Sequence, residues 1–415
     1  MKKVALFSLL LVAGMIASQF LPGLLGDAEA SFGWWVRMLT MIALSFIMIH
    51  VGYEFELRKD QLRSYGWDYV VAMTAAAFPW LFVAGYFALV LMPEGSWTAW
   101  KEALLAGRFA APTSAGVLFS MLAAAGLSAT WFFRKTRILA IFDDLDTVLL
   151  MIPLKIMIVG FAWQLGILVV LMAGMIWLAW KFLHRWKIPV TWPWVIGYAT
   201  VIVAVSELIY VGSKGLDAAV PIHIEVLLPA FVLGCVMMRP PGTDPHVDDE
   251  RDGHQEGPES AEEQKVATII SAVFMALVGL SMPAVASLGE IKGAVSTLSA
   301  AQPMPGWGTI ALHVLAVSFL ANLGKMFPMF CYRKEAHWKE RLAIAIGMWP
   351  RGEVGAGIIV LSLGYGLGGP MLVIAVSSLA LNLLLTGVFI VWVKKLLASA
   401  TEDKARAVIA PATAG

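Results

Sequence analysis

Apolar residues in this chain come as long runs, one after another, separated by short polar connectors. A helix needs about 20 mostly apolar residues to cross a bilayer, because the hydrocarbon core is about 30 Å thick and each helical residue advances about 1.5 Å. Runs bounded by charge or by Gly and Pro clusters predict twelve such spans, at residues 4–25, 34–52, 69–92, 100–127, 137–160, 164–182, 193–210, 222–238, 266–286, 308–332, 342–367 and 370–393. The fold class this implies is an all-α polytopic membrane protein. The first run follows a basic start, as in a signal peptide, but continues to Leu25 without a small-x-small cleavage site, so it is read as the first span. One long polar insertion, 239–265, is rich in Pro, Gly, Asp and Glu and is expected to be a disordered cytoplasmic loop. Its histidines, His246 and His254, fit a solvated linker better than a metal or pH-sensing site.

Composition strengthens this reading. Hydrophobic residues make up 59% of the chain and charged residues 14%, with a mean hydropathy of +0.77, far from a soluble domain. A net charge of +1 argues against a nucleic-acid partner, which would require a concentrated basic face. Cys235 and Cys331 lie inside apolar runs and can build neither a disulfide framework nor a thiolate metal site. With the N-terminus inside, Lys2, Lys3, Arg58, Lys59, Arg63, Arg134, Lys135, Arg137, Lys181, Arg185, Lys187, Arg333, Lys334, Lys339, Arg341, Lys394 and Lys395 fall on one side of the membrane. The other side holds Arg37, Lys101, Lys214 and Lys292 beside acids such as Asp27, Glu29 and Glu94. The positive-inside rule then places both termini in the cytoplasm and the chain, multi-pass, in the inner (plasma) membrane.

Ionisable residues inside spans cost roughly 2.5 to 3.5 kcal/mol each on insertion scales, so those that persist mark a pathway or a pair. Four places carry them. They are Asp143, Asp144 and Asp146 with Thr147 and, further along, Lys155 in the fifth span; Arg108 with Pro112, Thr113 and Ser114 in the fourth; Lys325 in the tenth; and Pro350, Arg351 and Glu353 in the eleventh. Adjacent aspartates point about 100° apart on a helix, so one can meet a partner charge such as Lys325 while the other faces a cavity. Such a carboxyl can hold either a proton or a cation, which is the chemistry of exchange. Thr147 could supply a neutral oxygen to the same cavity; Asp146 reads equally as a structural acid or a second proton site, and Lys155 as a snorkelling boundary residue.

The fourth and eleventh spans each carry a proline beside Gly or small polar residues, which predicts unwinding there. In lipid, unwound backbone is tolerated only where it lines a protein cavity, and paired breaks point to a transport site. The breaks are seven spans apart, an odd number, so spans one to five and eight to twelve pair as two inverted five-helix repeats with broken helices 4 and 11.

With these residues in place, the chain resembles the cation:proton antiporter superfamily, in particular the paired-aspartate, electrogenic sodium/proton antiporters. The likeness rests on the 52–56 exit of the second span, the Pro112-to-Gly116 segment, Asp143–Asp144, Gly324–Lys325 and Arg351 to Glu353 before a glycine-rich half-helix. It implies an ion-binding core bundle at 67–162 and 305–396, a scaffold and dimer bundle at 1–66 and 193–290, and a linker helix at 163–192. It also implies that Asp144 alternately binds the cation, as the ligand of Na+, and the proton, that Asp143 pairs with Lys325, and that Thr113, with Ser114 beside it, helps coordinate the ion. Pro112, Pro350, Arg351 and Glu353 would support the broken helices, the last two through charge pairs. The expected protein is a homodimer in membrane lipid, not an enzyme, without cofactor, exchanging Na+, or alternatively Li+ or K+, for H+. Asp146 and Arg108 depart from the family pattern and leave ion choice and stoichiometry open. Sodium-coupled symport of an organic anion is the alternative, with Arg108 or Arg351 meeting the carboxylate; a channel is a third reading. His50, His223 and His313, with Glu207 and Glu225, are expected to make structural contacts.

Overall fold

The computed structural model describes residues 2–53, 55, 62–92, 95–127, 130–159, 163–216, 224, 226–238, 261–282, 298–299, 301–364 and 367–409. Fourteen α-helices account for most of them. In chain order they are α1 (Lys2–Leu25), α2 (Glu29–Tyr53), α3 (Leu62–Tyr86, running on as a π-helical turn Phe87–Leu91), α4 (Trp97–Gly107), α5 (Ala115–Ala124), α6 (Trp131–Val159) and α7 (Trp163–Lys181). There follow α8 (Trp192–Leu216), α9 (Leu227–Val236), α10 (Ala261–Leu280), α11 (Trp307–Gly324), α12 (Trp338–Gly347), α13 (Glu353–Gly364) and α14 (Gly369–Ile409). Among the described residues there is no β-strand, only an isolated bridge between Trp186 and Met237.

Among the described residues, eight helices are long and apolar enough to cross a membrane: α1, α2, α3, α7, α8, α10, α11 and α14. The other four expected spans differ for identifiable reasons. The fourth and eleventh are each split into two helices of 10 to 12 residues. The fifth, α6, is long but charged, and the eighth is described only over the 10 residues of α9. The acidic loop proposed at 239–265 lies outside the described residues up to 260, and α10 begins at Ala261, earlier than expected.

The chain divides into two compact units. One comprises Met1–Ala30, Asp60–Ile158 and Val278–Gly415. Here α12 packs along α14, and α11 packs against both α3 and α14. The α3–α11 contact needs a residue without a side chain: a Cβ on Gly324 would stand 2.4 Å from the Pro79 nitrogen, closer than any real contact. Helix ends are closed locally. Ser96 accepts from the Ala99 amide at the start of α4, and the Glu340 carboxylate accepts from the His337 amide, 2.8 Å away, at the start of α12. Lys394 donates to the Ala125 carbonyl, 2.9 Å away, at the end of α5, where the helix dipole favours a cation.

The second unit comprises Ser31–Lys59 and Val159–Leu277. Arg37 of α2 and Glu207 of α8 form a 2.6 Å ion pair there, the interhelical role expected of Glu207. Glu263 accepts from the Trp192 amide at the start of α8, 2.8 Å away, and His50 bonds the Phe46 carbonyl on its own helix. His223 and Glu225 lie outside the described residues.

Candidate ion-binding site

The site lies within the first unit, where two interrupted segments meet. After α4, one 3-10 turn (Arg108–Ala110) leads into non-helical backbone that ends at Ser114, the N-cap of α5. Pro112 has no amide hydrogen to continue the helix and disfavours helical geometry at Ala111. Ser114 then restarts it by accepting from the Val117 amide at 3.3 Å. The second interruption runs through 348–352, from the end of α12 to Glu353 at the start of α13, around Pro350. The two breaks bond to each other. The Ser114 amide donates to the Pro350 carbonyl at 2.9 Å, and the Thr113 hydroxyl to the Met348 carbonyl at 3.1 Å. A Cβ on Gly352 would lie 2.9 Å from the Ser114 hydroxyl, so the crossing is as close as a glycine allows.

Unwinding a helix inside a bilayer strands carbonyls away from water, each costing several kcal/mol if left unpaired. Two basic side chains prevent this. Arg351, 1% exposed, donates to the carbonyls of Ala110 (3.0 Å), Trp349 (3.2 Å) and Ala321 (2.7 Å) and to the Asn322 side chain (2.7 Å). Its amide donates to Asn382 Oδ1 at 2.9 Å, and Asn382 in turn donates to Asn322 Oδ1 at 3.2 Å, joining α11, α14 and the second break. The expected brace at Arg351 therefore works mainly through neutral oxygens; the Glu353 side chain lies outside the described residues.

Lys325, fully buried at the C-terminal end of α11, serves the first break. Its ammonium sits among four oxygens: the Ala111 carbonyl at 2.6 Å, Thr113 Oγ1 at 2.9 Å, and Asp143 Oδ1 and Oδ2 at 3.0 and 2.9 Å. The Thr113 amide also donates to Asp143 Oδ2 at 2.6 Å. Lys325 and Asp143 are both 0% exposed, so neither charge has a water partner and each compensates the other. This brings together residues separated by 182 positions, Asp143 and Lys325, the pair that the resemblance implied.

The remaining residues of α6 fan out around that pair. Asp144 is half-buried, on the neighbouring face from Asp143. Asp146 is 1% exposed and lies beside the Tyr69 hydroxyl; Tyr69 also packs edge-on against Phe142, four residues before Asp146 on the same helical face. Thr147 was expected to offer its oxygen to the Asp144 cavity. Instead its hydroxyl turns back to the Asp143 carbonyl at 2.8 Å, and Arg108 donates to the Thr147 carbonyl at 3.3 Å. The Ser114 oxygen is occupied by its cap and Thr113 by Lys325, so in this conformation neither is a vacant ligand. Lys155 lies on α6, but its side chain is outside the described residues.

Asn322 and Asn382 were not anticipated, and their one local signal was a lone amide in an otherwise apolar run. A second buried charge cluster was also missed. Asp68, 1% exposed, pairs with Lys135 at 2.9 Å and accepts from the Tyr332 hydroxyl at 2.7 Å, while Lys135 also reaches Glu335 at 3.3 Å. His313 pairs with the Tyr86 hydroxyl at 2.7 Å, a structural contact.

Apolar helices, two interrupted segments crossing at mid-chain carboxylates, and a buried lysine define a secondary ion transporter. The chain belongs to the sodium/hydrogen exchanger family, whose transmembrane profile matches residues 2–397. That is a transporter family exchanging cations for protons, not a family of enzymes. The fold is similar to that of the sodium proton antiporter MjNhaP1 from Methanocaldococcus jannaschii, solved at pH 8, with a TM-score of 0.55 over 95% of this chain and 92% of that one. At 14% identity this likeness concerns the fold alone. No individually curated protein matches the sequence.

Proposed function

We propose that the chain exchanges protons for a monovalent cation, sodium in preference to lithium or potassium, electrogenically and by alternating access, as in the paired-aspartate branch of the superfamily. The observation that carries this reading is the Lys325 ammonium, held wholly buried among oxygens of Asp143, Thr113 and Ala111 with Asp144 adjacent. Those oxygens form a cage for one small cation, at present the cation of a side chain. A sodium ion bound by Asp144 and drawing on Thr113 and the freed carbonyls would compete with that ammonium as well as with the proton on Asp144. Loading the metal would then release the proton on Asp144 and, with the Lys325 ammonium stripped of its oxygen partners, one proton from Lys325 as well, and two protons leaving for one sodium make the exchange electrogenic. The empty carrier does not cross, because a bare carboxylate at the bilayer centre costs several kcal/mol.

The same reading assigns twelve crossings in two inverted repeats, with α4–α5 and α12–α13 as the matching broken helices. It places both termini on the side of the basic loops in the plasma membrane. A core at 67–162 and 305–396 would move against a scaffold at 1–66 and 193–290, joined by the 163–192 linker helix, in a homodimer. Organic-anion symport is less well supported, since Arg351 already binds the backbone of both breaks and is 1% exposed.

Asp144→Asn tests the site. In proteoliposomes carrying a pH-sensitive dye, a sodium pulse should move protons in the wild type and none above background in the variant. Full exchange by the variant would remove Asp144 from the mechanism, and flux of an organic anion without cation-driven pH change would favour symport.

A further inference from the structure

α12, the first half of the second broken helix, and α14 do not close on each other along their whole length. Between them lies a groove of about 440 Å³ lined by Leu342, Ile346, Trp392, Lys395, Leu396 and Ser399. Leu342 and Ile346 are four apart on α12, while Trp392, Lys395, Leu396 and Ser399 fall on one face of α14, so the lining is two facing helical stripes. From Trp392 to Ser399 the groove runs about 10 Å at 1.5 Å per residue. Its far end is apolar and aromatic, with Trp392 46% exposed. Its other end is polar. There Lys339 bonds Ser399 Oγ at 2.6 Å and pairs with Asp403 at 2.5 Å, and Lys404 pairs with Glu340 at 2.8 Å. Asp403 and Glu340 at this end are thus matched by lysines, Glu402 lies two turns beyond Lys395, and among the described residues no acid pairs with the exposed Lys395. The same end of the unit carries Arg333, Lys334, Arg341 and Lys394.

We propose that this groove binds one anionic phospholipid of the surrounding bilayer, its acyl chain on Leu342, Ile346, Leu396 and Trp392 and its phosphate at Lys395. A lipid fits both halves of the lining at once. Apolar walls take a hydrocarbon chain, an indole one turn from the lysine is the kind of aromatic side chain that sits beside a lipid glycerol backbone, and an ammonium paired with no acid selects negative over zwitterionic headgroups. The site borders the mechanism, because Ile346 precedes the unwound 348–352 segment by two residues. The binding itself does not depend on which ion is carried.

The test is native mass spectrometry of the purified full chain titrated with phosphatidylglycerol or phosphatidylcholine of identical acyl chains. The wild type should retain phosphatidylglycerol preferentially. Lys395→Gln should weaken that retention about fivefold, the effect of one basic residue near an anionic lipid surface, and bring it toward that of phosphatidylcholine. Leu342→Trp, which fills the groove, should reduce retention of both lipids. Lys395 is exposed and supports no packing, so its variant reports even if Leu342→Trp fails to accumulate. Unchanged phosphatidylglycerol retention in Lys395→Gln overturns the proposal, as does equal retention of the two lipids by the wild type. Loss of a dimer in place of a lipid would do the same, assigning the groove to a second copy of the chain.

Discussion

The pair at the centre of the site, Lys325 with Asp143, has no solvent to fall back on. Removing one partner of a fully buried pair leaves the other uncompensated, at roughly 3 to 5 kcal/mol. Lys325→Ala should therefore melt well below the wild type in detergent and lose exchange; an unchanged melting temperature would mean that the buried pair does not hold α11 to α6. Asn382→Ala tests the other network. It strands the Arg351 amide in a buried position and should cost about 1 to 3 kcal/mol, with slower exchange but an unaltered requirement for Asp144. Measuring transport rate and unfolding together separates this from Asp144→Asn, which should lose rate without stability. The charged members of the site were legible before folding, because an ionisable side chain within an apolar run is conspicuous. Asn322 and Asn382 were not, since an amide carries no charge and its partner lies 60 residues away. Asp68 was hidden differently: it stands one residue before the expected start of the third span and reads as a solvated flank, whereas α3 begins at Leu62 and encloses it.

Among the elements, the two proline breaks were predictable because proline acts through local covalent geometry, and both segments unwind where Pro112 and Pro350 require it. Helix ends set by tertiary contact were not. The sequence suggested that the last helix stops at residue 393, where polar residues begin, yet α14 runs to Ile409, its polar end held to α12 by Lys339–Asp403 and Glu340–Lys404. Close helix contacts were likewise invisible until partners were known. Gly324 illustrates the consequence: any side chain there meets the backbone of Pro79, so Gly324→Ala must push α11 from α3 and carry Lys325 with it. The expected outcome is a folded protein whose apparent sodium affinity falls, read as a raised KM in proteoliposomes. A variant with wild-type KM would show that the position of Lys325 is not set by this contact.

At the scale of the whole molecule, proton and cation are rivals for the same oxygens, and the rivalry sets how transport depends on pH. With more than one proton displaced per sodium, apparent KM for sodium should rise by more than about tenfold for each unit of acidification once those sites take up protons, while the maximal rate stays level. A maximal rate that falls at constant KM would instead place protonation at a separate regulatory group. The account is tested most directly by counting protons released when sodium binds. Isothermal titration of the purified protein in buffers of differing ionisation enthalpy should show more than one proton leaving per sodium bound in the wild type and no sodium binding in Asp144→Asn. Sodium that binds with no proton released, or that binds equally well without the Asp144 carboxylate, would contradict it.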